Sequence, residues 1–179
     1  MNGDEAVELI QSIRAGRYEE TAIEVKAAHN ALPARLSETL SALANRSGGG
    51  VIVLGLDEQR SFAVVGVANV QSAQSNLANM ASEMEPALRL DCTVVSVEGK
   101  HCLVVEVPEC ALDQKPCHNK QAGLQKGSYT RVGNTNRRMT DYEIFGYISN
   151  RSQPQFDRQP IAEAGLADLK SHANGLENP

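Results

Sequence analysis

The chain has 179 residues, of which 41% are hydrophobic and 22% charged, and its net charge is −5 at pH 7. This length suits one domain with flanking segments, and the apolar fraction supplies a core of ordinary size without disulfides. No apolar run approaches the roughly 20 residues that cross a bilayer, and the acidic N-terminus is unlike the basic start of a signal peptide. These features predict a cytoplasmic protein with no membrane partner.

The spacing of apolar residues predicts ten elements in one domain over residues 1–150, followed by a polar linker or tail over 151–179. In chain order they are a helix over 4–14, a strand over 22–27, a helix over 33–46, strands over 51–56 and 62–65, a helix over 70–84, strands over 92–97 and 101–107, a strand over 129–132 and a helix over 140–149. This order predicts an α+β two-layer sandwich, with helices packed on a mixed or antiparallel sheet.

Local signals support three of these boundaries. Glu98 and Gly99 form a two-residue hairpin signal between the strands over 92–97 and 101–107. Thr140 and Glu143 form a capping box at the start of the last helix. Three glycines over 48–50 close one helix and open a strand, which indicates a helix end and a sharp turn rather than a phosphate-binding loop.

The four cysteines have no CxxC spacing, which favours thiols in a reducing compartment. A zinc site remains an alternative, because four side chains can converge in space: Cys92, Cys110, Cys117 and His118. The spacing does not require it.

Positive charge is concentrated in residues 114–140, which contain no Asp or Glu. The six cations of this acid-free segment are Lys115, Lys120, Lys126, Arg131, Arg137 and Arg138. Such asymmetry can leave a local positive face on an acidic molecule. The alternative is a solvated loop whose charge is balanced by acidic neighbours in the folded protein.

Two further groups of residues suggest chemistry. Glu24 and Lys26 are two apart on a predicted strand and point the same way, and Glu19 lies at the entrance of that strand. The turn after the strand over 51–56 adds Asp57 and Glu58. Such a group suits a divalent cation or a salt-bridged sheet face. Tyr129 and Arg131 share one face of a later strand and offer a stacking surface and a guanidinium, unless the tyrosine is packed and the arginine paired.

Three ordered segments together resemble the Schlafen AlbA-like domain. They are Glu19-x4-Glu24-Val25-Lys26, then 41–49 (SALANRSGG) running into 51–57 (VIVLGLD), then Tyr129-Thr130-Arg131-Val132-Gly133. The resemblance implies an α+β fold and a DNA-binding module of bacterial transcriptional regulators. Val25, Glu58 and Asn134 stand where the family usually has Phe, Asp and Ser.

The resemblance implies two functions for different residues. As a nucleic-acid-binding module without cofactors, the chain would use Lys120, Lys126, Tyr129, Arg131, Arg137 and Arg138. As a metal-dependent ribonuclease using Mg²⁺ or Mn²⁺, like animal Schlafen nucleases, it would use Glu19, Glu24 and Glu58 with Lys26. A module that assembles with protein or with itself is the third hypothesis, and the small footprint of one lobe favours a homodimer.

Overall fold

The structure is a computed structural model that describes residues 1–16, 18 and 21–151. Of the predicted tail over 151–179, only Arg151 at the end of the last helix falls in this range, so the division at residue 150 stays a prediction. None of the helices in the described part combines the length and apolar character needed to cross a bilayer.

A four-stranded mixed sheet forms the centre of the fold and confirms the predicted α+β class. Its strands, in spatial order, are β1 (Ile23–Lys26), β2 (Gly50–Leu54), β7 (Lys100–Val107) and β6 (Asp91–Val97). β1 and β2 are parallel, whereas β2–β7 and β7–β6 are antiparallel. The run of apolar residues in β2 fits its central position, since both faces of that strand are covered.

Helices cover both faces of the sheet. α2 (Leu36–Asn45) and α3 (Val70–Ser82) pack on one face, with Leu40 and Leu77 fully buried. α1 (Gly3–Arg14) packs on the other face through its buried Ile10 and Ile13. The structure thus adds a helical layer to the sandwich expected from the sequence.

Short elements complete the fold and include several that the sequence did not predict. β3 (Leu56–Asp57) pairs with β4 (Ala63–Val64), as expected, and β5 (Met84–Glu85) pairs with β8 (His118–Asn119) in a segment expected to be loop. Two further unpredicted elements are α4 (Gly123–Gly127) and β10 (Thr135–Arg138). β10 forms a hairpin with β9 (Tyr129–Val132) ahead of α5 (Asp141–Arg151). The polar residues of β10 lack the apolar alternation by which strands are recognised.

The three local signals are confirmed. Glu98 and Gly99 have φ of 52° and 73°, the left-handed values of a tight hairpin turn. Thr140 and Glu143 exchange the two hydrogen bonds of a capping box. Gly49 has φ of 65°, and a Cβ there would lie 2.3 Å from the carbonyl oxygen of Val107, so the turn after α2 requires glycine.

All four cysteines are free, and burial raises the pKa of the Cys117 thiol to about 12, so this thiol is protonated at neutral pH. In the part of the chain that the structure describes, no three His, Cys, Asp or Glu side chains are grouped as metal ligands.

Candidate functional site

A buried ion pair links the central sheet to the β9–β10 hairpin. The Arg131 guanidinium donates to Glu24 Oε2 at 2.6 Å, and the side chains are only 2% and 10% exposed. Arg131 also donates to Asn136 Oδ1 at 2.8 Å and to the carbonyl oxygen of Ile23 at 3.1 Å. These bonds hold the hairpin against the outer edge of β1.

Lys26 brings a second cation to the same carboxylate. Its ammonium lies 2.7 Å from Glu24 Oε1, and its side chain is 37% exposed. Both oxygens of Glu24 are therefore engaged by cations. Glu58 is exposed and lines a cleft of about 220 Å³ together with Glu24 and Lys26. Glu19 lies outside the described residues.

A neighbouring cleft of about 270 Å³ opens between α2 and the hairpin. It shares Glu24 and Lys26 with the first cleft and adds Arg35 and Glu38 from α2 and its N-terminal cap. Arg35 chelates Glu38 with two nitrogens at 2.6–2.9 Å, yet its side chain remains 77% exposed. A guanidinium so exposed keeps surface available for another anion.

A family profile described as Schlafen, AlbA_2 matches residues 19–140. The chain belongs to this family. The match confirms the resemblance drawn from the three sequence segments, and it spans the central sheet, both clefts and the hairpin.

Two solved structures show the relationship in three dimensions. One is the solution structure of the N-terminal domain of a putative ATP-dependent DNA helicase RecG-related protein from Nitrosomonas europaea, with 32% identity, a TM-score of 0.56 and coverage of 75% of this chain and 93% of that domain. The other is the crystal structure of the DIP2311 protein from Corynebacterium diphtheriae, with 16% identity, a TM-score of 0.56 and coverage of 84% of this chain but only 29% of that protein. The second likeness concerns the fold alone. No curated protein matches the chain.

Most cations of the acid-free segment in this Schlafen AlbA_2 domain meet carboxylates from elsewhere in the chain. The pairs are Lys115 with Glu109, Lys120 with Glu85, Arg131 with Glu24 and Arg137 with Glu143. Within the described residues, exposed Lys126 and Arg138 have no carboxylate partner. Four of the six cations are therefore balanced by acidic neighbours in the folded protein, as the second interpretation of the charge asymmetry predicted.

Strand pairing places Arg137 and Arg138 on opposite faces of the hairpin. Arg138 pairs with Tyr129 and lies on the same face as Arg131, towards α2, whereas Arg137 pairs with Thr130 and reaches α5. The burial of Arg131 favours the alternative of a paired arginine over a guanidinium presented to a ligand. The side chain lines the smaller cleft and contacts Glu24 there.

Tyr129 is partly buried beside α2. Burial and a hydrogen bond with Glu38 raise the pKa of its hydroxyl, while the charges of Arg35 and Arg138 act in the opposite direction. Arg35 and Arg138 thus lie near Tyr129, and Arg35 also lines the larger of the two clefts. We call these three residues the α2–hairpin surface.

Two buried polar residues of the segment 41–49, quoted above for the resemblance but given no role there, hold this surface in place. Asn45 donates to the carbonyl oxygens of Cys117 and Tyr129 at 2.8 and 3.0 Å and accepts from the Cys117 amide at 2.7 Å. The Ser41 hydroxyl donates to the Cys117 carbonyl and accepts from the Tyr129 amide. Their signal was available, because a buried helix face seldom carries Asn and Ser unless these bond elsewhere.

The capping box of α5 predicts a pH dependence of stability. Hydrogen bonds with Arg137 and Thr140 lower the pKa of Glu143 from 4.5 to about 2. Because the folded-state pKa is the lower one, this contribution is present above about pH 4.5 and disappears as the pH falls towards 2. Thermal unfolding should show Glu143→Gln less stable than wild type at pH 7, with the two curves converging at low pH. A difference that stays constant from pH 7 to 2 would contradict this assignment.

Proposed function

We propose that this Schlafen AlbA_2 domain binds nucleic acid through phosphate contacts on the α2–hairpin surface and at Lys126 of α4. The observation that carries the proposal is the grouping of exposed Arg35 and Arg138 around Tyr129, beside a cleft lined by Lys26. Cations grouped in this way can follow a phosphate backbone, and such contacts supply affinity without reading sequence.

The family and one neighbour support this proposal. Residues 19–140 match Schlafen, AlbA_2, and a neighbour with 32% identity is a domain of a protein named as a putative DNA helicase relative. From the resemblance and the sequence alone, we also propose that the domain belongs to a transcriptional regulator and acts in the cytoplasm.

Exposure and ion pairing favour some of the predicted binding cations over others. Arg138 and Lys126 are exposed and have no carboxylate partner in the described part, so a phosphate would not compete with a protein anion there. Lys120 and Arg137 are exposed but already paired, with Glu85 and Glu143 respectively, so a phosphate must exchange for a carboxylate. Arg138 and Lys126 are therefore proposed as the principal contacts.

The salt dependence of binding tests the proposal. Arg138→Ala should lower the magnitude of the slope of log K against log salt by about 0.9 on duplex DNA, because a complex with one phosphate contact fewer releases fewer counterions. Adding Lys126→Ala should lower it by about as much again. Fluorescence anisotropy with labelled DNA and RNA measures both slopes.

Arg89→Ala is the matched control, because Arg89 is exposed and lines a different cleft, beside the glycine turn. It should leave the slope unchanged. No binding to DNA or RNA, or an unchanged slope in the Arg138→Ala variant, would refute the proposal.

The ribonuclease alternative draws on the cleft that Glu24 and Glu58 share. Two cations already engage the Glu24 carboxylate, which leaves it poorly suited to hold a divalent metal. We therefore expect binding without cleavage of structured RNA in Mn²⁺ or Mg²⁺. Cleavage that disappears in Glu58→Gln would establish the nuclease instead. Glu58 is the better position to test, since it is exposed and Glu24→Gln would also disturb the buried ion pair.

A further inference from the structure

The central sheet has one covered edge and one open edge. At the β1 edge, the β9–β10 hairpin covers the strand, and Arg131 donates to the carbonyl oxygen of Ile23. At the β6 edge, residues 92–97 make no backbone hydrogen bond beyond those to β7 within the described part of the chain. The outer edge of β6 therefore presents unpaired backbone groups.

The hairpin turn determines which residues of β6 face outward. A two-residue turn at Glu98–Gly99 makes Val97 and Lys100 a hydrogen-bonded pair, and such pairs recur at every second position of an antiparallel ladder. Consistently, the carbonyl oxygen of His101 accepts from the Val67 amide rather than from β6. The backbone groups that face outward belong to Cys92, Val94 and Ser96.

This edge has none of the features that usually prevent strand addition. The segment from Cys92 to Val97 contains no proline, lysine or other charged residue, and its register with β7 is continuous, without a bulge. At its centre the Val94 side chain is 40% exposed. An uncharged edge strand of continuous register, with an exposed β-branched side chain, is a template on which another strand can pair.

We propose that a second copy of this chain adds to the sheet at β6, antiparallel, with Val94 of the two copies facing each other on a two-fold axis. A second copy is the occupant that this edge fits, because pairing about Val94 sets only uncharged outward residues against one another. Cys92 of one copy then faces Ser96 of the other, and the three outward residues of each strand exchange about six hydrogen bonds. Asp91 faces Val97 of the second copy, so no like charges oppose each other.

The dimer joins the two four-stranded sheets into one continuous sheet and buries Val94. Because the contact is narrow, dimerisation depends on protein concentration. The interface uses no residue of the α2–hairpin surface, so the dimer can be confirmed or refuted independently of nucleic-acid binding.

Sedimentation of the full chain over a range of concentrations, without nucleic acid, tests the proposal. The wild type should approach a dimer as the concentration rises, and Val94→Lys should stay monomeric, since it sets two ammonium groups against each other. Leu112→Lys adds the same charge at a site that is 54% exposed and lies outside the sheet, and it should dimerise like wild type. A monomeric wild type, or a dimer that Val94→Lys leaves intact, would overturn the proposal.

A cross-link checks the register even if Val94→Lys does not fold. In the proposed pairing, Ser96→Cys meets the native Cys92 of the second copy at a Cα separation of about 5.5 Å, within disulfide range. Mild oxidation should yield a covalent dimer that disappears when Cys92→Ser is added. No cross-link, or one that survives Cys92→Ser, would exclude this register.

Discussion

Replacing Arg131 with methionine is expected to lower the free energy of unfolding by about 3 kcal/mol or more. The substitution removes the main partner of a carboxylate whose side chain is only 10% exposed, and an unpaired buried charge typically costs 3–5 kcal/mol. Lys26 still contacts Glu24 and offsets part of the loss, so the lower end of that range applies. Urea denaturation followed by circular dichroism measures the change.

The double variant Glu24→Leu, Arg131→Met is the informative control. Removing both charges leaves no buried unpaired ion, because Lys26, which also loses its partner, is 37% exposed and can be solvated, so the double variant should recover much of the stability lost in Arg131→Met. If the free energy of unfolding of Arg131→Met lay within 1 kcal/mol of the wild-type value, the ion pair would not be a main attachment of the hairpin. Equal losses in the single and double variants would place the cost in packing rather than charge.

Substituting Asn45 with leucine is expected to cost about 2–4 kcal/mol. The change removes three hydrogen bonds and leaves the Cys117 amide and the Tyr129 carbonyl without this partner in the interior. The loss should fall most heavily on the segment that includes β9, which hydrogen exchange would detect as faster exchange of its amides.

Two variants calibrate the Asn45 measurement. Asn134→Ala alters an exposed asparagine of the hairpin turn and should change stability by less than about 0.5 kcal/mol. Asn45→Asp retains the acceptor for the Cys117 amide but loses both donated bonds and buries a charge, so it should be at least as damaging as leucine. Unchanged exchange in β9 would refute the role of Asn45 in holding this segment to α2.

These two attachments explain how the fold forms the α2–hairpin surface. Arg131 ties the hairpin to β1, and Asn45 ties β9 to α2. Either variant should therefore weaken nucleic-acid binding indirectly, in proportion to the fraction of molecules in which the hairpin has detached. Arg138→Ala should instead weaken binding with stability unchanged, which separates a direct contact from a positioning residue.

Much of the fold could be predicted because its signals are local. The apolar run of β2, the Glu98–Gly99 turn and the Thr140–Glu143 cap each depend on residues within a few positions of one another. β10 and α4 could not be predicted in this way, because β10 forms by pairing with β9 and neither element has an apolar period of its own.

The candidate site also combines contacts that local spacing predicts with contacts between distant residues. The spacing of Glu24 and Lys26 on one strand indicated that they share a face, and they do form an ion pair in one cleft with Glu58. The pairing of Arg131 with Glu24 joins residues 107 positions apart. No local pattern could distinguish that buried pair from an exposed, ligand-binding arginine.

The sequence by itself determined the class of fold, the family and the residue types available for binding, since these depend on local periodicity and on short motifs in a given order. Only the tertiary structure decided which cations are available. A charge is neutralised by opposite charges within a few ångströms of it, and segments distant in the sequence bring those charges together. Folding places Glu109, Glu85 and Glu143 beside Lys115, Lys120 and Arg137. In the described part it leaves Lys126 and Arg138 without such partners.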